Sequence, residues 1–287
     1  MVVNVNAIPK TLREYLNRGV SLLKQADIES YALDARVLLR HSYGLTEEEL
    51  VMQMNDPVDD KGYFDLILRR SQKEPVAKII GFKEFYGLDF ITTKDTLDPR
   101  PDSEVLIDAV LKSVSNKDED LKILDLGTGT GCLVITLLTK LKNASAVGVD
   151  LSNEAYEIAC KNASKHDVKD RLKLVKGDFS SALELDQDGF DIIISNPPYI
   201  AVNDDQVNED AKNFDPEMAL YAGEDGLDAY RQLAPIIKQC LNKKGKFFLE
   251  IGTGQEIPIG EIFKQENLGI SKSYRDIQGI IRCLSNA

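Results

Sequence analysis

A short loop of fixed shape, Ser195-Asn196-Pro197-Pro198-Tyr199, follows an apolar segment at positions 190–194. The segment is rich in β-branched residues, which predicts a buried strand that ends in this loop. Each proline fixes a φ angle, lacks an N–H group and forces the preceding residue into extended geometry. The loop therefore presents an amide side chain, backbone carbonyls and a tyrosine ring in one rigid array.

This array suits a planar amide or an aromatic amine as its ligand. The side-chain oxygen of Asn196 and the carbonyl of Pro197 can accept the two N–H bonds of such a group, and Tyr199 can stack on its face. A strand-ending turn would explain an Asn-Pro pair alone. The longer motif, about 70 residues after a glycine-rich loop, favours a binding site.

The glycine-rich loop occupies positions 127–131, between a predicted strand at 121–126 and a helix that begins at Cys132. Glycines let the backbone pass close to a ligand, and the first turn of a helix offers unpaired N–H groups. Dehydrogenases share such a loop, but their G-x-G-x-x-G pattern requires glycine at position 132. The pattern Asp-Leu-Gly-x-Gly-x-Gly is instead similar to that of S-adenosylmethionine-dependent methyltransferases.

Acidic residues follow the next two predicted strands. Asp150 ends the strand at 146–150, where a doubly wound sheet holds a ribose diol. Asp178 follows the strand at 172–175 and can accept the N–H of an adenine amino group, while Phe179 can cover the ring. Asp150 is expected in both classes of enzyme and does not separate them, whereas the Asn-Pro-Pro-Tyr loop is carried by amino-group methyltransferases.

The elements that must position these residues form an α/β architecture of two domains. We predict an N-terminal helical bundle at 1–78, a β-hairpin linker at 79–95 and a doubly wound, Rossmann-like class I methyltransferase domain at 96–287. Helical periodicity predicts four N-terminal helices, with Thr11, Ser30 and Thr46 as N-caps and the fourth helix at 59–71. The bundle either completes the fold or docks a partner.

A stiff Pro-Arg-Pro loop precedes the glycine-rich loop. Two prolines hold the backbone of Arg100, and Asp102 or Ser103 can cap the helix that follows. Arg100 is then either a surface residue or a clamp for a carboxylate or a backbone group at the site.

Composition excludes several classes of protein. The net charge is −12, and residues 86–287 carry 23 Lys and Arg against 34 Asp and Glu, which disfavours stable binding to long nucleic acid. Four widely spaced cysteines indicate reduced thiols in a cytoplasmic protein, and two isolated histidines make a metal site unexpected. No segment has the composition of a signal peptide or a membrane span.

Motifs along nearly the whole chain resemble those of the HemK/PrmC family of peptide-chain release factor glutamine methyltransferases. The matching segments are Glu74-Pro75 with Ile80-Gly81, Glu84-Phe85-Tyr86-Gly87-Leu88, Pro99-Arg100-Pro101, Ser103-Glu104, the glycine-rich loop, Asn196-Pro197-Pro198-Tyr199-Ile200, Asp215-Pro216, Ala219-Leu220, Gly223, Asp225-Gly226-Leu227 and Leu249-Glu250-Ile251-Gly252 with Gln255. Asp98 departs from the apolar residue usual before Pro-Arg-Pro. Ser103 and Asp215 conservatively replace Thr and Glu.

The resemblance implies methyl transfer from S-adenosylmethionine, without a metal, to the glutamine amide nitrogen of a Gly-Gly-Gln loop in bacterial-type release factors. We further expect a monomer with no membrane partner, whose helical domain docks the factor. The catalytic residues expected are Asn196, Pro197 and Tyr199, with Pro198 and Arg100 added for substrate binding. The residues expected to hold the cofactor are Asp125, Gly127, Thr128, Gly129, Thr130, Gly131, Asp150, Leu151, Asp178, Phe179 and Asn196.

Three other readings of the motifs stay open at this point. An amino methyltransferase acting on adenine or guanine in DNA or RNA would share the Asn-Pro-Pro-Tyr loop, but it predicts a basic cleft. A nicotinamide-dependent dehydrogenase leaves that loop unexplained, and a binding protein without catalysis has no feature in its favour.

Overall fold

The computed structural model describes residues 10–186, 188–204 and 209–287. The chain forms two compact units, one that ends at Gly81 and one that begins at Phe82. In the described ranges, no helix is long and apolar enough to cross a membrane.

The described part of the first unit is helical. Its elements are α1 (Leu12–Gln25), α2 (Tyr31–Tyr43), α3 (Glu47–Met52), α4 (Tyr63–Ser71) and α5 (Val76–Ile80). Thr11 caps α1, and Thr46 forms a reciprocal capping box with Glu49 at the start of α3, as predicted. Ser30 makes no side-chain cap, and its hydroxyl donates to the Asp34 carboxylate.

A shared apolar core holds these helices together. Leu12, Tyr15, Leu38 and Tyr63 are all buried in it. The guanidinium of Arg70 forms a buried ion pair of 2.7 Å with Asp34, which links α4 to α2.

Two boundaries differ from the sequence prediction. Helix α4 begins at Tyr63 rather than at position 59, because Gly62 has a φ of +76° and cannot continue a right-handed helix. Residues 79 and 80 end α5, where the sequence pattern predicted the start of the hairpin. The hairpin consists of β1 (Phe82–Phe85) and β2 (Leu88–Ile91), and it belongs to the second unit.

The second unit continues with alternating helices and strands. These are α6 (Glu104–Ser113), β3 (Lys122–Leu126), α7 (Cys132–Lys140), β4 (Ser145–Asp150), α8 (Asn153–Lys165), β5 (Leu172–Lys176), β6 (Phe190–Ser195), α9 (Glu209–Phe214), α10 (Glu217–Leu220), α11 (Asp228–Cys240), β7 (Leu241–Glu250), α12 (Glu256–Gln265), β8 (Lys272–Arg275) and β9 (Ile281–Ser285).

These strands form a sheet of seven strands in the order β5-β4-β3-β6-β7-β9-β8. The first five are parallel, and the β7–β9 and β9–β8 pairs are antiparallel. The doubly wound prediction is therefore confirmed. Near the C-terminus, β9 and β8 form an antiparallel pair, with β8 at the edge of the sheet.

Each face of the sheet supports its own apolar core, because successive side chains of a strand point to opposite faces. Helices α6, α7 and α8 contribute to one core, and α11 and α12 to the other. With both faces covered, the remaining site for a ligand is the edge where the parallel strands end.

Candidate active site

A cavity of about 670 Å³ lies at the carboxyl edge of β3, β4 and β6. Its volume is in the range of small-molecule sites. The glycine-rich loop, the end of β4, the Asn196 loop and the Pro-Arg-Pro loop contribute to its wall. The predicted site residues in this wall are Arg100, Gly127, Thr128, Gly129, Thr130, Asp150, Leu151, Phe179, Asn196 and Pro198.

The glycine-rich loop is held against the end of β4. Gly129 has a φ of +57°, and its N–H donates to Oδ2 of Asp150 over 2.6 Å. The other oxygen of Asp150 accepts from the N–H of Ser152 at 2.9 Å. Each oxygen keeps a lone pair, so the carboxylate can still accept hydrogen bonds from a pair of hydroxyl groups. Burial raises the pKa of Asp150, and its backbone hydrogen bonds oppose that shift.

Asp125 lies near Asp150 but is not in the cavity wall. Its side chain is 0% exposed, and neither carboxyl oxygen has a hydrogen-bond partner among the described residues. Burial, followed by repulsion from Asp150, raises the pKa of Asp125 to about 8. A buried carboxyl group without a partner fits a nearby cationic ligand, which would stabilise its charged form.

The Asn196 loop is anchored to the strand beside it. The buried hydroxyl of Ser195 donates to the carbonyl of Leu126 at 2.6 Å, which joins the ends of β6 and β3. Asn196 lines the cavity, and its Nδ2 donates to the hydroxyl of Ser103 at 3.2 Å. Pro197 is buried behind this wall.

Tyr199 is half-buried and is not among the residues that line the described cavity. The main-chain carbonyl of Tyr199 accepts a 2.9 Å hydrogen bond from the side chain of Gln255. The ring of Tyr199 packs close to Gly252, since a Cβ atom at that position would be only 3.1 Å from the ring. Burial raises the pKa of Tyr199, so its hydroxyl stays protonated at neutral pH. Tyr199 therefore cannot serve as an ionised base there.

Arg100 has a partner within the chain. Its guanidinium pairs with Asp215 at 2.5 Å, and the Asp215 side chain is only 3% exposed. The pair ties the Pro-Arg-Pro loop to the segment just before α10. In this structure, Arg100 thus binds a carboxylate of the same chain, that of Asp215.

Two further residues of the expected site lie outside the described cavity wall. Asp178 is exposed and caps a 3₁₀ turn at Phe179–Glu184, with its Oδ1 accepting from Ser180 and Ser181. Gly131 ends the glycine-rich loop as the N-cap of α7. Asp125, Gly131, Asp178, Pro197 and Tyr199 are absent from the described cavity wall.

Sequence reasoning missed Ser103 and Glu250 as site residues. Ser103 was expected to cap α6, but it makes no side-chain cap and contacts Asn196 instead. Glu250 ends β7, whose last four residues are buried; burial raises the pKa of Glu250, and the Ser103 and Asn196 side chains oppose that shift. A single acid at the end of the apolar run 247–249 was the signal that could have identified it.

The fold and the site define a class of protein. The sheet is doubly wound, a glycine-rich loop follows its first parallel strand, and an acidic residue ends the next strand. This combination is that of a class I methyltransferase domain. A family model described as "Methyltransferase domain" matches residues 117–273, and one described as "PrmC N-terminal domain" matches residues 14–81. Among the described residues, no group of His, Cys, Asp or Glu side chains is arranged to hold a metal ion.

Relatives identify the family within this class. The release factor glutamine methyltransferase of Agrobacterium fabrum is 36% identical over 92% of each chain. The corresponding protein of Rhodospirillum rubrum is 35% identical over 95% of this chain and 84% of its own length. The chain therefore belongs to the release factor glutamine methyltransferase family.

Other matches are longer or more distant. The bifunctional methyltransferase of Rickettsia felis is 36% identical over 96% of this chain, but the chain spans only 57% of that protein's length. The hMettl16 catalytic domain, solved in complex with MAT2A 3'UTR hairpin 1, shares the fold with a TM-score of 0.54 and 15% identity over 96% of this chain and 90% of that one.

Proposed function

We propose that the protein transfers a methyl group from S-adenosylmethionine to the side-chain amide nitrogen of the glutamine in the Gly-Gly-Gln loop of peptide-chain release factors. The observation that carries this proposal is that Asn196 and Asp150 line one cavity, beside the glycine-rich loop. The names of the relatives support the choice of substrate.

The residues around the cavity fit S-adenosylmethionine. Asp150 would accept from the ribose hydroxyls, Phe179 and Leu151 would contact the adenine, and the buried carboxyl group of Asp125 would favour the cationic end of the molecule. Asp178 would approach the adenine amino group only if its side chain left the turn that it caps. When bound, S-adenosylmethionine supplies an activated methyl group, and its transfer would leave S-adenosylhomocysteine and release one proton from the amide nitrogen.

Catalysis by the chain's own residues would be mainly positional. An amide nitrogen is a weak nucleophile, because its lone pair is delocalised into the carbonyl group. The Asn196 side-chain oxygen and the Pro197 carbonyl would accept its two N–H bonds and hold it in line for transfer. Since Tyr199 stays protonated, its ring would contribute packing and not proton removal.

The proposal extends to the organisation of the chain. Residues 1–78 would dock the release factor, residues 79–95 would link the two domains, and residues 96–287 would catalyse methyl transfer. The enzyme would be a monomer in the cytoplasm. The match of residues 14–81 to a family model described as "PrmC N-terminal domain" supports a role specific to this family. Arg100 would act on the substrate indirectly, by keeping the Pro-Arg-Pro loop paired with Asp215.

Methylation of an amino group in nucleic acid is the second candidate, since the hMettl16 domain of similar fold was solved with an RNA hairpin. The excess of acidic residues in the second unit argues against it.

Labelled S-adenosylmethionine tests the two candidates together. The enzyme is incubated with purified release factor, with a factor whose Gly-Gly-Gln glutamine is changed to alanine, and with duplex DNA and an RNA hairpin. We expect label on the unmodified factor alone. Label on the glutamine-deficient factor would refute the assigned atom, and label only on nucleic acid would favour the second candidate.

A further inference from the structure

The orientation of the Asn196 amide must be specified by its surroundings. The oxygen and the NH₂ group of an asparagine side chain are almost equal in size, but only the oxygen can accept an N–H bond from a substrate. A flipped amide would present two donors to the substrate's donors and repel them. Ser103 and Glu250 are buried polar neighbours of this amide.

The sheet brings Glu250 and Asn196 together. Ser195 of β6 is paired with Leu249 of β7, so the residues that follow, Asn196 and Glu250, emerge side by side at the carboxyl edge. Ser103 approaches from the turn before α6, and its hydroxyl accepts the 3.2 Å bond from Asn196 Nδ2. Ser103 and Glu250 are each only 2% exposed.

We propose that Glu250, together with Ser103, holds the Asn196 amide with its NH₂ group toward the protein and its oxygen toward the cavity. A carboxylate can only accept hydrogen bonds, so the end of Asn196 that bonds to it must be the NH₂ group. Ser103 accepts from the same NH₂ group over 3.2 Å, which leaves its own hydrogen to be donated to the Glu250 carboxylate, whose charged form both Ser103 and Asn196 favour. With both N–H bonds directed inward, the oxygen remains for the substrate.

The burial of Glu250 supports this role over a merely structural one. Burial raises the pKa of Glu250 to about 7, although hydrogen bonds from Ser103 and Asn196 oppose the shift. Its Oε2 is buried without a hydrogen-bond partner among the described residues. A carboxyl group in this state costs folding free energy, so a neutral residue of the same shape would serve stability better.

Protonation of Glu250 would remove the constraint, because a neutral carboxyl group can donate to the Asn196 oxygen and stabilise the flipped amide. Asp102 raises the pKa of Glu250 and Arg282 lowers it. The other titratable groups that sense its charge have raised pKa values and are neutral near pH 7; they are Tyr199, Tyr230, Cys132 and Cys283.

A reciprocal exchange tests the proposal, which rests on the proposed function for its choice of substrate. Glu250→Gln can donate to the Asn196 oxygen, and we expect it to lower kcat by about 10-fold or more with cofactor Kd unchanged. Asn196→Asp puts two buried carboxyl groups together and should also lower kcat. The double variant restores an amide–carboxylate pair with an oxygen facing the cavity, so its kcat should exceed that of either single variant by about 10-fold.

Additive losses in the double variant, or full kcat in Glu250→Gln, would overturn the proposal. Ser103 provides a matched pair in case a substitution at position 250 impairs folding. Ser103→Thr keeps the hydroxyl group and should retain far more kcat than Ser103→Ala. Equal losses in these two variants would also count against the proposed hydrogen-bond relay.

A spectroscopic readout is independent of the substrate assignment. The side-chain NH₂ resonances of Asn196 in ¹⁵N-labelled full-length protein, identified by their loss in Asn196→Asp, should titrate near pH 7 in the wild type and not in Glu250→Gln. If no release factor is methylated but this titration is seen, only the substrate assignment fails. If methylation is normal but the resonances are insensitive to Glu250, only the positioning role fails.

Discussion

The hydroxyl of Ser195 donates a 2.6 Å hydrogen bond to the main-chain carbonyl of Leu126. Leu126 directly precedes the glycine-rich loop, and Ser195 directly precedes Asn196. This buried hydrogen bond therefore extends the β3–β6 pairing up to the proposed cofactor loop and the proposed substrate loop. Loss of this hydrogen bond should therefore affect both loops.

Ser195→Ala should destabilise the protein by about 1–3 kcal/mol, because it leaves the buried Leu126 carbonyl without its donor. It should also weaken S-adenosylmethionine binding, since the glycine-rich loop loses an anchor. Denaturant unfolding and calorimetric titration measure the two effects. Ser145→Ala, at an exposed position on β4, is the matched control and should change neither. A Ser195→Ala protein of unchanged stability would show that the hydrogen bond is dispensable.

Asn196→Ala should reduce kcat by about 10²- to 10³-fold, because it removes the proposed acceptor for an N–H bond of the substrate amide, whose nitrogen receives the methyl group. Cofactor binding should persist, since Asp150 and the glycine-rich loop are untouched. Single-turnover methyl transfer measures the first quantity and calorimetry the second. Asn203→Ala changes an exposed asparagine farther along the same loop and serves as the control. Normal turnover in Asn196→Ala would exclude catalysis by positioning at this residue.

Asp150→Ala should raise the Kd for S-adenosylmethionine by about 10- to 100-fold, because the ribose loses its acceptor and Gly129 loses the bond that shapes its loop. Calorimetric titration gives the Kd directly. Glu157→Ala removes an equal charge from an exposed position on α8 and should leave it unchanged. Equal Kd values for wild type and Asp150→Ala would rule out the ribose role.

The stability of the cofactor-free protein should fall as the pH rises from about 4 to about 8. Asp125 keeps its proton in the folded protein up to about pH 8, whereas the unfolded chain releases it near pH 4. The folded state then binds more protons than the unfolded state, so stability is lost with rising pH across this interval.

Asp125→Asn should therefore raise Tm more at pH 8 than at pH 5. Thermal unfolding at the two pH values provides the measurement. Asp118→Asn replaces an exposed carboxylate with an amide in the same way and should shift Tm equally at the two pH values. Equal shifts for Asp125→Asn as well would mean that Asp125 ionises normally in the folded protein.

Removal of residues 1–81 should impair methylation of intact release factor far more than binding of S-adenosylmethionine, because the proposed cofactor residues all lie in the second unit. Competition between the intact factor and a short Gly-Gly-Gln peptide measures the difference. The truncated enzyme should lose its preference for the intact factor. If the preference survives, the helical unit completes the fold and does not dock the substrate.

The sequence by itself determined the elements whose signals are local. The apolar strands, the glycine-rich turn, the capping box of Thr46 and the rigid Asn-Pro-Pro-Tyr loop follow from nearest-neighbour sterics and hydrogen bonding, and they predicted the doubly wound fold. The boundaries at Gly62 and Gly81 were harder to predict, because any glycine can adopt a positive φ and tertiary packing selects which ones do.

Only the tertiary structure decided how side chains distant in the sequence are paired. Ser103 could cap a helix by local rules, but strand register and the path of the Pro-Arg-Pro loop bring its hydroxyl to Asn196 instead. Arg100 meets Asp215 across 115 positions of sequence. Glu250 owes its raised pKa to burial beside Asn196, and burial depends on how the whole sheet is packed. Such pairings depend on long-range packing, which spacing along the chain does not encode.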